Sequence, residues 1–326
     1  MIDRFGRRIT YLRISVIDKC NLRCRYCMPH GFVSRQRMAD LLTNDELVTL
    51  AGLFVELGVR KIRLTGGEPL LRPGLVEIVR RLAAMPQVGE LAMSTNGVLL
   101  QRYAAALKAA GLDRVNVSLD TLLPERFAAI TGTACWQAVI DGILAAQAAG
   151  LTPVKVNVVL MRGVNDDEIL PLTDFAAAHG LELRFIEWMP TSASVNGERE
   201  NHFFSNEEAK ARIECHYRLR PDDQDPHAPA RMFQLEGTAA RVGFISPLSR
   251  VFCAMCNRVR LKADGRIKTC LHGQEELDLK QMLRSGRSAA AVQAAVSTAV
   301  FLRPQEHFLN REDVVHRDFV MTQVGG

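Results

Sequence analysis

Six of the eight cysteines fall into two tight groups whose spacing is typical of metal sites. The groups are Cys20, Cys24 and Cys27, with the spacing Cys-x3-Cys-x2-Cys, and Cys253, Cys256 and Cys270, with the spacing Cys-x2-Cys-x13-Cys. Three thiolates on a four-iron cluster leave one iron open, and an open position is what a reactive metal site needs. The grouping therefore predicts two metal centres rather than disulfides.

Zinc is the alternative at both groups. His30 is the nearby residue that would close the first group into a four-ligand zinc site. At the second group, Cys253-x2-Cys256 opposite Cys270-x-His272 would form a zinc ribbon, so spacing alone leaves zinc and a cluster open there.

Composition indicates a soluble, cytoplasmic α/β protein. The chain has 326 residues, of which 48% are hydrophobic and 24% are charged, which excludes disorder, collagen and fibrous repeats. Its net charge of +5 is too small for this length to indicate a nucleic-acid binder, although it suits an anionic small molecule. We expect no secretory signal, because no apolar run follows the charged residues of Met1 to Arg8. We expect no membrane span, because the most apolar stretch, Ser288 to Leu302, is short and contains polar residues.

Short β-branched runs alternate with helical patterns over the first part of the chain. The predicted strands are Tyr11–Ile17, Arg60–Leu64, Leu91–Ser94, Arg114–Leu119, Pro153–Leu160 and Glu182–Glu187. The predicted helices are Thr43 to Gly58, Pro73 to Met85, Arg102 to Ala110, Trp136 to Ala149 and Asp167 to His179. Six strands separated by helices predict a parallel sheet, either an open doubly wound sheet or a barrel. No Gly-x-Gly-x-x-Gly follows a strand, which favours a barrel or partial barrel.

The pattern changes after Pro190, so we predict a main domain over residues 1–190 and a smaller domain over residues 191–326. Short strands are predicted at Met232–Glu236 and Ala240–Ile245. Asp264-Gly265 then predicts a hairpin that folds Cys270 back toward Cys256.

The first cysteine group, with Tyr26 directly before its last cysteine, resembles the signature of the radical S-adenosylmethionine (SAM) superfamily. The resemblance also covers Thr65-Gly66-Gly67-Glu68-Pro69 after the second strand. It implies an α/β fold with a partial (β/α)6 TIM-like barrel. It also implies a [4Fe-4S] cluster whose open iron is chelated by SAM, and a 5′-deoxyadenosyl radical that abstracts a substrate hydrogen.

Both cysteine groups together resemble the family of GTP 3′,8-cyclases, which carry out the first step of molybdenum cofactor biosynthesis. The resemblance implies two [4Fe-4S] clusters, on Cys20, Cys24 and Cys27 and on Cys253, Cys256 and Cys270. It implies SAM contacts at Tyr26, Gly67, Ser118 and Met189. It implies GTP contacts at Arg13, Arg63, Ser94, Lys155, Arg258, Val259 and Arg260. In this family's reaction, hydrogen abstraction from C3′ of the GTP ribose is followed by attack of C3′ on C8 of guanine.

The implied GTP residues form a chemically coherent set. Four arginines and a lysine would more than balance a triphosphate, and Arg258 and Arg260 alternate along a strand and so share a face. The same arginines would also suit an ordinary solvated strand face. Ser94 stands where the family usually has threonine but keeps the hydroxyl, and the terminal Gly325-Gly326 resembles the family's tail, which reaches into the active site.

The resemblance also implies partners. GTP is the substrate, the product passes to cyclic pyranopterin monophosphate synthase, and an external donor supplies electrons. No nucleic acid or membrane partner is expected, and both a monomer and a homodimer are open. The competing hypotheses are a radical SAM enzyme with another substrate, and a non-enzymatic zinc or iron–sulfur protein.

Overall fold

The computed structural model describes residues 1–28, 36–189, 202–222, 227–307 and 320–325. Its strands are β1 (Tyr11–Ser15), β2 (Lys61–Thr65), β3 (Glu90–Thr95), β4 (Arg114–Ser118), β5 (Lys155–Leu160), β6 (Glu182–Glu187), β7 (Leu219–Pro221), β8 (Ala230–Leu235), β9 (Arg241–Ile245), β10 (Arg258–Leu261), β11 (Arg266–Lys268) and β12 (Leu277–Asp278). Its α-helices are α1 (Asn44–Glu56), α2 (Leu75–Ala83), α3 (Leu100–Ala109), α4 (Pro124–Thr131), α5 (Trp136–Ala148), α6 (Ile169–His179), α7 (Asn206–Glu214), α8 (Leu279–Arg284), α9 (Ala289–Phe301) and α10 (Met321–Val324).

Strands β1 to β6 form the centre of a single mixed sheet and lie parallel, in the order in which they occur in the chain. A doubly wound sheet would reverse its strand order near the middle, so the sequential order excludes the Rossmann-like alternative. All six predicted strands are confirmed, with ends that differ by two residues or fewer. The α/β partial-barrel prediction is therefore confirmed in its strand number and order.

The C-terminal part of the chain extends this sheet at both edges. Strand β10 pairs parallel with β1, and β9 pairs parallel with β6. The remaining order outward is β11 then β12 beyond β10, and β8 then β7 beyond β9. The sheet thus crosses the predicted boundary at residue 190, and β10 carries Arg258 and Arg260 directly beside β1.

Helices between the strands cover a continuous apolar core because one face of each carries aliphatic residues. Helix α1 begins at a capping box, in which Thr43 Oγ1 accepts from the Glu46 backbone N–H (3.1 Å) and Glu46 Oε2 accepts from the Thr43 N–H (2.8 Å). The five predicted helices are confirmed with small shifts at their ends. Helices α4, α7 and α10 were missed, and α4 and α10 have direct roles at the site described below.

The predicted hairpin is confirmed by antiparallel pairing of β10 with β11, in which Arg260 lies opposite Lys268. A search of the described residues finds no single helix long and apolar enough to cross a membrane. The bent pair α4 and α5, with an angle of 100° between its members, passes the same test by length and composition only.

Candidate active site

A cavity of about 240 Å³ lies at the carboxyl ends of the parallel strands. In barrel enzymes this is the end at which active sites form. Its walls include the last residues of four of these strands, Thr65, Thr95, Ser118 and Glu187. The first cysteine group, Cys20, Cys24 and Cys27, also lines it.

The loop that carries this cysteine group is fixed by the end of α4. The backbone N–H groups of Arg23 and Arg25 donate to the carbonyl oxygens of Thr131 (2.8 Å) and Ile130 (3.0 Å). These carbonyls belong to the last turn of α4, where no intrahelical donor remains for them. The helix that the sequence analysis missed therefore anchors the cysteine loop.

Gly66 and Gly67 allow β2 to end against the same loop. A Cβ on Gly66 would overlap the Ile17 carbonyl oxygen, and one on Gly67 would overlap the Lys19 carbonyl oxygen. The Gly67 N–H donates to the Ile17 oxygen at 2.8 Å. The two glycines therefore allow a close approach of the chain to its own segment before Cys20.

The three thiols lie in a poorly hydrated environment. Burial raises the pKa of Cys20, raises that of Cys24 well above its usual value, and raises that of Cys27 to about 12. Thiolates in such a place need a strong positive partner, which the irons of a cluster supply. The three thiols, which line the cavity, fit a four-iron cluster that would keep one iron open.

The four predicted SAM residues all line this cavity: Tyr26, Gly67, Ser118 and Met189. Tyr26 donates its hydroxyl to Asp120 Oδ2 at 2.7 Å, and the Val159 N–H donates to Asp120 Oδ1 at 2.8 Å. Burial raises the pKa of Asp120 to about 6, although both hydrogen bonds oppose that rise. The structure thus places the four residues in the wall of one cavity, which Asp120 also lines.

Glu68 is a second buried carboxylate in this region, and its side chain is fully buried. It accepts from the Leu70 N–H (3.0 Å), the Thr95 hydroxyl (2.8 Å) and the Asn96 N–H (2.7 Å). Burial raises the pKa of Glu68 to about 7 despite these three donors. Asp120 and Glu68 were missed as site residues, although Glu68 stands inside the motif Thr65-Gly66-Gly67-Glu68-Pro69.

Arginines occupy matching positions on three adjacent strands. Arg13 on β1 lies in register with Arg260 on β10 and with Arg63 on β2. Burial, followed by the charge of Arg260, lowers the pKa of Arg13 well below its usual value. Burial, followed by the charge of Arg258, lowers the pKa of Arg260 to about 10. Cations held this close in a buried place favour a polyanionic ligand.

The Arg258-Val259-Arg260 stretch divides between two faces of β10. Val259 is buried in the apolar core, while Arg258 and Arg260 project to the opposite face, as strand alternation predicts. Nε and Nη2 of Arg258 are buried and have no hydrogen-bond partner among the described residues. Any contact of Val259 with a ligand on that face must therefore use its backbone.

Tyr11 and Ser94 join the arginines to the cavity. Arg63 donates through Nε to the Tyr11 hydroxyl and through Nη1 to Ser94 Oγ, which is 3.3 Å away. Ser94, a predicted GTP residue, also lines the cavity, so it lies in the same wall as the predicted SAM residues. Burial alone would raise the pKa of Tyr11, but the charges of Arg63 and Arg13 lower it to about 7. Tyr11 was missed because nothing in its local sequence shows which cations it faces.

Lys155 lies in an ion-pair network centred on Glu182. Glu182 Oε1 accepts from Lys155 Nζ and from Arg184 Nε, both at 2.7 Å, and Oε2 accepts from Arg241 Nη2 at 2.8 Å. Burial, followed by the charge of Arg184, lowers the pKa of Lys155 to about 7. Burial opposes ionisation of Glu182, but the charges of Arg184 and Lys155 lower its pKa to about 2. Glu182 and Arg184 are further residues of the site that sequence reasoning missed.

The second cysteine group lies near the amino end of β10, whereas the first follows the carboxyl end of β1. Cys253 begins a single helical turn, Cys253–Met255, and Cys256 follows this turn shortly before β10. Cys270 follows β11. Burial by itself raises the pKa of the Cys256 thiol, but the charges of Arg258 and Arg303 outweigh it and lower the pKa to about 7.

Of the two histidines that the zinc alternatives need, the structure describes His272 but not His30. The ring of His272 lies 5.5 Å from the ring of His307, centroid to centroid. His30 lies outside the described residues. Within the described part of the chain, no three His, Cys, Asp or Glu side chains are grouped so as to hold a single metal ion.

The end of the chain enters the same cavity. Met321 and Thr322 of α10 line it, and the Thr322 N–H donates to the Cys27 thiol. Arg260 Nη1 donates to the carbonyl oxygens of Gly325 and of Val324, the latter at 3.4 Å. The tail thus touches a cysteine of the first group and an arginine of the row; Gly326 lies outside the described residues.

Comparisons with known proteins relate the chain to two protein families. The family model "Radical SAM superfamily" matches residues 14–176, and the model "Molybdenum Cofactor Synthesis C" matches residues 181–309. The chain is 46% identical to the GTP 3′,8-cyclase of Moorella thermoacetica and 40% identical to that of Alkaliphilus metalliredigens, with all of each chain covered. It is 43% identical to that of Ectopseudomonas mendocina, over 100% of this chain and 98% of the relative.

Solved structures with the same fold include Streptococcus suis SuiB. The match has a TM-score of 0.61 at 13% identity and covers 92% of this chain and 67% of SuiB. SuiB bound to S-adenosylmethionine matches with a TM-score of 0.59 at 13% identity, over 89% of this chain and 68% of that one. The fold is therefore an α/β radical SAM fold, and the cofactors are a [4Fe-4S] cluster and SAM, with a second cluster consistent with the family. The chain belongs to the radical SAM superfamily and, within it, to the family of GTP 3′,8-cyclases.

Proposed function

We propose that this protein converts GTP to (8S)-3′,8-cyclo-7,8-dihydroguanosine 5′-triphosphate, the first step of molybdenum cofactor biosynthesis. The observation that carries this proposal is the in-register row Arg260, Arg13 and Arg63. Cys253 and Cys256 precede the strand of Arg260, whereas the first cysteine group follows the strand of Arg13. This row supplies buried positive charge for a triphosphate. The competing hypothesis, a radical SAM enzyme that acts on an uncharged or peptide substrate, does not explain these buried arginines.

The first cysteine group is the proposed holder of the cluster that binds SAM, and the second of the other cluster. The ligands are Cys20, Cys24 and Cys27, and Cys253, Cys256 and Cys270. Bound together, the first cluster and SAM supply a carbon radical that removes a hydrogen atom from the substrate. Tyr26, Gly67, Ser118 and Met189 are proposed to hold SAM, because all four line the cavity beside the first group.

The chain's own part in the reaction is positioning. Arg13, Arg63, Arg258, Arg260 and Lys155 are proposed to bind the triphosphate. Ser94 and the Val259 backbone are proposed to complete the GTP contacts. Ser94 would bring the nucleotide next to SAM, since it lines the cavity and also accepts from Arg63. C3′ then lies where it can lose its hydrogen atom and form the new bond to C8.

The remaining assignments rest on the chemistry of the product and of the thiols. The ring closure leaves a radical on the base that needs one electron and one proton, so an external electron donor is proposed. The product is proposed to pass to cyclic pyranopterin monophosphate synthase. We place the protein in the cytoplasm, because none of the eight cysteines, all of which the structure describes, forms a disulfide. The division into residues 1–190 and 191–326 remains a proposal.

The test is an anaerobic assay of the reconstituted protein with SAM and a reductant. We expect 5′-deoxyadenosine to form much faster with GTP than without it, and a cyclised GTP of unchanged mass number to accumulate. Cys24→Ser and Cys256→Ser should each lose about four of about eight irons, whereas Cys135→Ser should lose none. SAM cleavage that is indifferent to GTP would contradict the proposed substrate.

A further inference from the structure

The N-terminal residues 1–8 form a buried contact with the second cysteine group that the GTP and SAM assignments do not explain. Asp3 Oδ2 lies 2.6 Å from Arg7 Nε and 3.7 Å from Arg303 Nε, and the side chain of Asp3 is fully buried. A single carboxylate thus joins two arginines that approach the cysteines from different segments of the chain. We propose that Arg303 is a positioning residue of the second cluster, which orients the Cys256 thiolate and raises the reduction potential of the cluster.

Arg303 contacts both the sulfur and the backbone of Cys256. Its Nη2 donates to Cys256 Sγ at 3.4 Å, which is within the range of a hydrogen bond to sulfur. Its Nη1 donates to the carbonyl oxygens of Cys256 (3.3 Å) and Arg258 (3.4 Å). The guanidinium group therefore fixes the position of the thiolate and the start of β10 at the same time.

Burial makes this contact electrostatically strong. Only 3% of the Arg303 side chain is exposed, so water screens its charge weakly. A reduced cluster carries one more negative charge than an oxidised cluster. A buried cation that donates to a cluster sulfur stabilises the reduced state more than the oxidised state, and hydrogen bonds to sulfur are a known control of cluster potential.

Arg7 completes the arrangement from the other side. Its guanidinium donates to the carbonyl oxygens of Cys253 (2.9 Å), Pro304 (2.7 Å) and Gln305 (2.6 Å). Asp3 also accepts the Arg7 N–H at 2.9 Å, so the turn that begins the chain is preformed around the carboxylate. Asp3 and Arg7 hold residues 303–305 against the Cys253 loop, and Arg303 is thereby directed to Cys256.

The inference rests on the proposed second cluster and has its own readout. The test uses the full-length protein with Cys20, Cys24 and Cys27 changed to serine, so that the second cluster alone remains. In this background we compare the unchanged protein with Arg303→Gln, Arg303→Lys and Asp3→Asn. The matched control is Arg287→Gln, which removes an exposed arginine from the loop before α9. Iron and sulfide content are measured first, and the midpoint potential is then measured by an anaerobic titration monitored by electron paramagnetic resonance.

We expect Arg303→Gln to shift the midpoint potential to a more negative value and to change the spectrum of the reduced cluster. Arg303→Lys should retain most of the potential because it keeps the charge, and Arg287→Gln should leave it unchanged. Asp3→Asn should broaden the spectrum because Arg303 loses its anchor. A loaded Arg303→Gln cluster with the potential of the unchanged protein would overturn the inference. If Arg303→Gln does not load iron, the spectrum of the loaded Asp3→Asn cluster decides: a spectrum identical to that of the unchanged protein overturns the inference. Failure of the unchanged background to load iron would instead contradict the proposed second cluster.

Discussion

Lys155 Nζ lies 2.7 Å from Glu182 Oε1, and both side chains are buried within the sheet. Glu182 also accepts from Arg184 and Arg241, so one carboxylate holds three cations. This network holds Lys155 in place at the start of β5. Burial of this pair also lowers the pKa of Lys155 to about 7, so the charge of the lysine changes near neutral pH.

Removal of the Glu182 charge should destabilise the fold strongly. Glu182→Gln leaves Lys155 and Arg184 buried without an anion, and loss of one partner of a buried pair costs about 3–5 kcal/mol. Denaturant unfolding of the protein measures this loss. Glu208→Gln is the control, because its partner Arg162 is exposed and such pairs contribute about 0–1 kcal/mol. Equal effects of the two variants would contradict the burial argument.

GTP binding should take up a proton near pH 7 through Lys155. Burial lowers the pKa of this lysine to about 7, so part of the population is neutral above that pH. A bound triphosphate favours the charged form, so affinity should fall as pH rises from 7 to 8, by at most about tenfold per pH unit. Calorimetry in two buffers of different ionisation enthalpy counts the protons. The Lys155→Arg variant keeps its side chain charged, so it should take up fewer protons on GTP binding than the unchanged protein. Identical proton uptake by the two proteins would rule out this role of Lys155.

Arg260→Ala should weaken GTP binding and leave the iron content intact. One charge-assisted hydrogen bond contributes about 1.5–3 kcal/mol, which corresponds to roughly 10- to 150-fold in affinity. The loss should be large for GTP and small for guanosine, because the proposed contact of Arg260 is with the phosphates. Arg266→Ala on β11 serves as control, since its side chain is half exposed. Equal losses for GTP and guanosine would argue against a phosphate contact.

Gly325→Ala should displace the tail from the cavity. Gly325 has a φ of +74°, which alanine rarely adopts, and an added Cβ would overlap Thr65 Oγ1. We expect lower product formation per 5′-deoxyadenosine formed, and greater access of a protease to residues 320–325. Gly286→Ala, with a φ of +75° but open space around it, controls for backbone strain alone. Product yield that matches the control would exclude a role for the tail.

The local patterns in the sequence predicted the strands β1 to β6 and both cysteine groups, because strand periodicity and ligand spacing are properties of neighbouring residues. Pairing of β10 with β1 joins distant parts of the chain, and no local pattern encodes it. That pairing brings Arg260 beside Arg13, so the arginine row could be inferred only from the family resemblance. Tyr11 and Glu182 were missed for the same reason: their importance comes from the cations that the fold places around them.

The measurement that tests the central claim most directly follows one hydrogen atom. The reconstituted protein is given SAM, a reductant and GTP that carries deuterium at C3′, and the 5′-deoxyadenosine is analysed by mass spectrometry. The account predicts one deuterium in the 5′-deoxyadenosine and a product in which C3′ is bonded to C8. Unlabelled 5′-deoxyadenosine, formed at the same rate without GTP, would contradict it.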